Sequence, residues 1–244
     1  MLNGIGQIQN ILVIGGKSQI ALETVLNVSL APKGKVFLLG REIEKENFAI
    51  DNAEVTTVNY DINDPVQQIE KISELFDKRD FDLVILAVGY LGYQPSKSTL
   101  EEDQTIIDVN FTYSARVLNY VTDRLKSQHH GKVLILSSVA SVRPRKNNYI
   151  YGAAKSGLDF FARGLQLDLL GTGVDICIAR PGFVHSNMTK GMTPAPFAIS
   201  AAKAGEICAR GVLKSKKVFF VPGILRYVMF IVKLLPYKIL NKLN

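Results

Sequence analysis

Two cysteines, Cys177 and Cys208, are all that the 244 residues contain. That is too few for a disulfide framework and points to a reducing cytoplasm. The amino terminus, MLNGIGQIQNILVIGG, lacks the positive start and long apolar stretch of a secretion signal, and its apolar run is short enough to be a first strand. No internal repeat, low-complexity tract or Gly/Ser/Pro-rich linker divides the chain. Acidic residues stop at Glu206, whereas Arg210, Lys214, Lys216, Lys217, Arg226, Lys233, Lys238 and Lys242 follow it. The net charge of +7 therefore sits at the carboxyl end, since residues 1–209 hold 21 basic and 22 acidic groups. A nucleic-acid-binding protein would spread positive charge over a folded face with aromatic platforms, so no nucleic acid is expected. A basic, apolar end suits an anionic membrane surface better.

What the sequence does have is alternation. Short β-branched apolar runs at 10–14, 35–39, 54–58, 82–87, 132–137, 174–179 and 217–221 are separated by segments of helical period at about 18–30, 64–77, 100–127, 149–170 and 200–213. Strand–helix alternation of this kind predicts a doubly wound α/β domain, a parallel sheet of about seven strands with helices on both faces. The expected organisation is one domain over 1–222, with a substrate lid at about 186–213, followed by a basic apolar helical tail over 223–244.

The first run opens into IGGKSQIALE, where Gly15 and Gly16 precede a helix starting near Ser18. Glycines at a strand-to-helix turn let a backbone approach a pyrophosphate, whose charge the helix N-terminus favours. The loop departs from the G-x-x-x-G-x-G pattern, with Gln19 and Ala21 in the second and third glycine places, so it also reads as a tight turn without a ligand.

The stretch SSVASVRPRKNNYIYGAAK, Ser137 to Lys155, carries more chemistry. Tyr151 and Lys155 are four apart in an expected helix and share a face. A tyrosine with pKa about 10 is a poor acid–base group at neutral pH, and a nearby ammonium is expected to lower that value into catalytic range. Ser138, at the end of the fifth strand, is placed to donate a hydrogen bond to the same carbonyl oxygen. Ser137 is the weaker candidate, because strand alternation turns it away. No metal site is expected.

These residues resemble the short-chain dehydrogenase/reductase family along essentially the whole chain. Tyr151 and Lys155 match its Y-x-x-x-K pair, Ser138 its catalytic serine, and Asn110 in DVNFTYSA the helix asparagine that supports a proton relay. AVG, Ala87 to Gly89, stands where the family has N-A-G, and loses a structural hydrogen bond at Ala87. Asp61 in YDIND falls where the family contacts adenine, and Ser186 in ARPGFVHSNM takes the usual hydroxyl position beside the nicotinamide. The resemblance implies a Rossmann-type fold and hydride transfer between a nicotinamide and a carbonyl or alcohol carbon. It also implies cofactor contacts from Gly15, Gly16, Lys17, Ser18, Gln19, Ile20, Arg41, Asp61, Ile62, Ala87, Val88, Gly89, Tyr151, Lys155, Pro181, Gly182, Val184 and Ser186. Arg41 follows the second strand, where an arginine accepts a 2′-phosphate, and Lys17 adds a second cation. The cofactor is NADP or NAD, with a slight lean to NADP.

GGKSQIA, AVGYLG, RPRKNNYIYGAAKSGLDFF, ARPGFVHSNMT and FVPGILRYVMFIVKLLP look like the actinobacterial decaprenylphosphoryl-2-keto-erythro-pentose reductases. That likeness implies NAD, an oxidase partner and a polyprenyl-phosphate-linked sugar reduced to the arabinose donor for cell-wall polysaccharide. Arg143, Arg145 and Lys146, between Ser138 and Tyr151, either clamp a lipid phosphodiester or form a solvated basic loop. Residues 189–200 suit a lid over an apolar substrate, or an ordinary surface connection. As a helix, the tail puts Arg226 and Lys233 on one stripe and apolar residues over most of the rest. It is too short to span a bilayer, and either lies on the inner face of the plasma membrane or packs on a sister subunit of a homo-oligomer. The alternatives are a reductase of soluble ketone or 3-oxoacyl substrates, for which basic tail and loop are unnecessary, and a non-catalytic scaffold, against which the intact triad counts.

Overall fold

The computed structural model of the chain describes residues 7–51, 53–64, 66–92 and 98–240, so the last four tail residues, with Lys242, lie outside it. Among the described residues nine strands and eight α-helices follow one another. They are β1 (Ile8–Ile14), α1 (Gln19–Asn27), β2 (Leu30–Gly40), β3 (Ala53–Asn59), α2 (Gln67–Phe76), β4 (Leu83–Leu86), α3 (Leu100–Ile107), α4 (Tyr113–Ser127), β5 (Gly131–Leu136), α5 (Tyr149–Asp168), β6 (Val174–Pro181), β7 (Val184–His185), β8 (Ile199–Ser200), α6 (Ala201–Leu213), β9 (Val218–Val221), α7 (Leu225–Leu234) and α8 (Tyr237–Leu240).

Seven strands form one parallel sheet in the order β3-β2-β1-β4-β5-β6-β9. Their side chains divide by the two-residue period of a strand. Leu12, Ile14, Leu39, Ile135 and Ile178 face one layer with Ile72 of α2, Val121 of α4 and Leu158 of α5. Val13, Leu38, Ile85, Leu134 and Cys177 face the other with Val25 of α1 and Cys208 of α6. Both faces are covered, which is why the strands read as near-continuous apolar runs. The expected seven-stranded doubly wound fold is the one observed. Both cysteines are free and buried, and burial pushes their thiols up, to about 11 for Cys177 and about 12 for Cys208.

One expectation is refined and one corrected. The segment expected as a helix over 100–127 is helical over that whole range, with Asp108–Thr112 widened into a π turn between α3 and α4. There Asn110 Nδ2 donates to Ile106 O at 2.8 Å and Ser114 Oγ to Val109 O at 2.8 Å, so side chains share the carbonyls that would continue the ladder. The lid expected over 186–213 ends before α6. That helix lies directly on α1, and Gly205 permits the contact: a Cβ there would stand 2.3 Å from Glu23 Cβ. Ala204, Cys208 and Val212 belong to the core, so of the segment expected as a lid only 186–198 lies outside it.

Candidate active site

The carboxyl ends of β1, β4, β5 and β6 open onto a cleft of about 910 Å³, where doubly wound sheets place their ligands. One end is the turn from β1 into α1. Gly15 holds φ +96°, and a Cβ would fall 2.7 Å from the Ala87 carbonyl carbon, so β1 and the end of β4 close together only with glycine here. Gly16 does not line the cleft; its missing Cβ makes room for Ile43 Cδ1 at 2.6 Å. Ser18 caps α1 by accepting from Ala21 N at 3.4 Å. The first turn of α1 holds no acidic residue, so its positive dipole end faces the cleft without a carboxylate neighbour. Lys17 pairs with Glu46 at 2.9 Å. Gln19 Oε1 accepts from Asn187 N at 2.8 Å and ties this turn to the lid segment.

Beyond β2, Arg41 is exposed and lines the cleft, while the neighbouring Glu42 is drawn into an ion pair with Lys45. Asp61 is a correction: it does not line the cleft, because its Oδ1 accepts from Asn63 N at 2.9 Å and Asn63 Nδ2 at 3.0 Å. Ile62 and Asn63 line the wall in its place. Ile20, Ala87, Val88 and Gly89 line the floor, and Pro181, Gly182, Val184 and Ser186 the far side.

At the other end, Ser138 leaves β5 in extended conformation and its Oγ accepts from Ala140 N at 3.1 Å. Tyr151 and Lys155, one turn apart on α5, are 9% and 2% exposed. Lys155 Nζ donates to Leu136 O at 3.2 Å and Val88 O at 3.3 Å, and stands 5.9 Å from the Tyr151 ring centroid. Burial pulls the Lys155 pKa down to about 8. Burial also pushes Tyr151 up to about 12, against the hydrogen bond with Ser138 that lowers it. The direction runs against the expected lowering by Lys155, because burial is the larger effect. The phenol stands beside a hydroxyl at the end of the cleft. That is an arrangement for giving a proton to an oxygen.

Asn110 stands behind these groups, fully buried; its Nδ2 donates to Tyr90 O at 2.6 Å and its Oδ1 accepts from Tyr90 N at 3.2 Å. Ser137 gives its hydroxyl to Asp159 Oδ2 at 3.2 Å, away from the reacting end. Thr105, Val109 and Met188 also line the cleft and were not foreseen, since their position depends on the wide turn at Asn110 and on the lid.

The basic loop does not act as a unit. Arg143 is corrected: its Nη2 donates to Leu235 O at 2.7 Å and its Nη1 to Lys233 O at 3.2 Å, at the end of α7 where carbonyls lack helical partners. Arg145 is half-buried and Lys146 exposed, and neither lines the cleft among the described residues. Burial lowers the Arg145 pKa, and among the described residues its guanidinium has no ion-pair partner. No group of three or more His, Cys, Asp or Glu side chains among the described residues is placed to hold a metal.

A family model described as short chain dehydrogenase matches residues 9–196. An uncharacterised oxidoreductase of Mycobacterium tuberculosis strain H37Rv is 33% identical over 234 residues, covering 93% of each chain. Another, from Streptomyces coelicolor, is 34% identical over 247 residues, covering 98% of this chain and 97% of that one. The fold is similar to that of a short-chain dehydrogenase from Burkholderia cenocepacia crystallised with NADP, at TM-score 0.77 and 18% identity over 94% of this chain and 99% of the other.

Proposed function

This chain belongs to the short-chain dehydrogenase family and is an oxidoreductase of it, and on that premise we propose that it reduces a ketone to a secondary alcohol with a nicotinamide dinucleotide. The observation that supports this reading is the placing of the buried Tyr151 hydroxyl beside Ser138 at the end of the cleft, one turn from Lys155. The cleft fits the cofactor: Gly15 brings backbone close, α1 offers an unneutralised N-terminus, and Arg41 stands past β2. When bound, the nicotinamide supplies the hydride. Ser138 donates a hydrogen bond to the ketone oxygen and favours the charge that develops there. Tyr151 gives its phenolic proton to that oxygen, whose basicity as an alkoxide exceeds that of the phenolate. Lys155, anchored on β4 and β5 through Val88 and Leu136, holds α5 against the strand ends and offers its ammonium to the phenolate that remains. NADP is the preferred form in this reading, because Glu42 is occupied by Lys45 and Arg41 is left to meet a 2′-phosphate.

The ketone proposed is a polyprenyl-phosphoryl 2-keto-pentose, supplied by a separate oxidase acting on the corresponding alcohol. Its support is the resemblance of the five segments above and an exposed apolar lip of Met188, Met192 and Phe197 along the lid segment. Turnover of the oxidised polyprenyl-phosphoryl pentose and of a soluble 3-oxoacyl ester, side by side with NADPH and NADH, tests both levels. A preference of at least ~10-fold in kcat/KM for the lipid-linked ketone is expected, the scale of one or two well-placed polar contacts. Equal use of the soluble ester removes the keto-sugar and leaves ketone reduction. No turnover of either ketone with either cofactor removes ketone reduction itself.

A further inference from the structure

α7 buries one face and leaves another bare. Leu225 and Met229 pack with Val139, and a Cβ on Gly182 would stand 2.5 Å from Leu225 Cδ1. The buried face of α7 thus rests on the turn that follows Ser138 and on the far wall of the cleft. Val228 and Val232 pack against the same cluster, whereas Ile224, Tyr227, Phe230, Ile231 and Leu234 are 47% to 69% exposed. At 3.6 residues per turn these five fill a single arc of about 120°, with Arg226 and Lys233 together between that arc and the buried face. Five adjoining large apolar side chains on one surface helix mark an interaction site.

We infer that α7 lies in the headgroup region of an anionic lipid bilayer and sets the mouth of the cleft against it, which rests on the lipid-linked substrate proposed above. Charge decides between a bilayer and a second copy of this chain. A two-fold contact through the arc would bring Arg226 and Lys233 against their own copies, and no acidic residue follows Glu206 to compensate them. An anionic leaflet supplies the missing counter-charge while the arc enters the acyl boundary. The helix lies on the surface; its ten residues reach about 15 Å, half of a bilayer core of about 30 Å. No helix among the described residues is long and apolar enough to cross a membrane.

Flotation of the full chain with vesicles of phosphatidylcholine containing or lacking phosphatidylglycerol tests this without reference to catalysis. Binding to the anionic vesicles at low salt is expected to exceed binding to the neutral ones by at least ~10-fold and to weaken with salt. Tyr227→Ser/Ile231→Ser/Leu234→Ser, all exposed, is expected to lose at least ~10-fold in vesicle binding while its melting temperature and its turnover of a soluble ketone stay unchanged. Arg226→Gln is expected to weaken binding to anionic vesicles and leave binding to neutral ones alone. Absence of flotation at low salt overturns the inference. So does light scattering that shows an oligomer dissolved by the triple substitution, for then the arc is a subunit contact. Turnover of the lipid-linked ketone without vesicle binding overturns the docking and spares the substrate.

Discussion

Arg180 holds Asp159 through two parallel contacts, Nε to Oδ2 at 2.8 Å and Nη2 to Oδ1 at 2.7 Å. The same carboxylate accepts from Ser137 Oγ at 3.2 Å and meets Arg163 Nε at 3.2 Å, with its side chain only 3% exposed. Three elements that build the site therefore meet at one residue. Asp159 follows Lys155 by one turn of α5, Arg180 on β6 is followed by Pro181 and Gly182, and Ser137 precedes Ser138 just past the end of β5. Removing the carboxylate leaves a largely buried guanidinium unpaired, so Asp159→Ala is expected to lower stability by about 3–5 kcal/mol. The double change Asp159→Leu/Arg180→Met removes both charges and should recover more than half of that in urea unfolding. Unequal recovery of activity is expected too, because Ser138 and Gly182 lose their common anchor even when stability returns.

Tyr151→Phe removes one hydroxyl and leaves the packing of α5 in place. The chemical step should fall by at least ~100-fold, as for loss of a general acid, while cofactor affinity measured by nicotinamide fluorescence stays within about twofold, a difference of ~0.4 kcal/mol. Retained turnover in this variant removes Tyr151 as proton donor.

Arg41 is the residue proposed to decide the cofactor. With Glu42 engaged by Lys45, the wild-type chain should use NADPH more efficiently than NADH. Arg41→Ala should raise KM for NADPH by ~10-fold or more, the range of one charged hydrogen bond, and leave KM for NADH nearly unchanged. A clear NADH preference in the wild type refutes the assignment.

Lys155 gives a pH signature. Its pKa is about 8 in the folded chain and about 10.4 when unfolded. Between those values the unfolded chain holds a proton that the folded chain has released, so this residue makes stability rise with pH across that window. Below pH 8 both states hold the proton and the contribution is flat. The stability of wild type relative to Lys155→Met should therefore grow between pH 8 and pH 10, by up to about 2 kcal/mol. Above pH 10 the buried Tyr151 acts the other way, staying protonated in the fold while the unfolded phenol ionises. Urea unfolding of both proteins at pH 7.5 and pH 9.5 checks the first window, and a flat difference shows Lys155 charged in the folded state at pH 9.5.

The seven strands, the turn at Gly15 and the Tyr151–Lys155 spacing were all legible in the sequence, because each follows from local periodicity or steric need. Local spacing could not set the sign of the Tyr151 shift, which depends on how many atoms from β4, β5 and the neighbouring helices exclude water from the phenol. Nor could it place Arg143, whose carbonyl partners lie 90 and 92 residues away. Asn110 sits in the π turn of that helical segment, and its amide meets the backbone of Tyr90, 20 residues earlier, only once both are folded. The apolar pattern of 224–234 was equally plain, but which half of it is buried was settled only by Leu225 and Met229 seating against Val139. Periodicity says that a helix has faces; only the packed neighbours determine which face is left for solvent, and so for a partner.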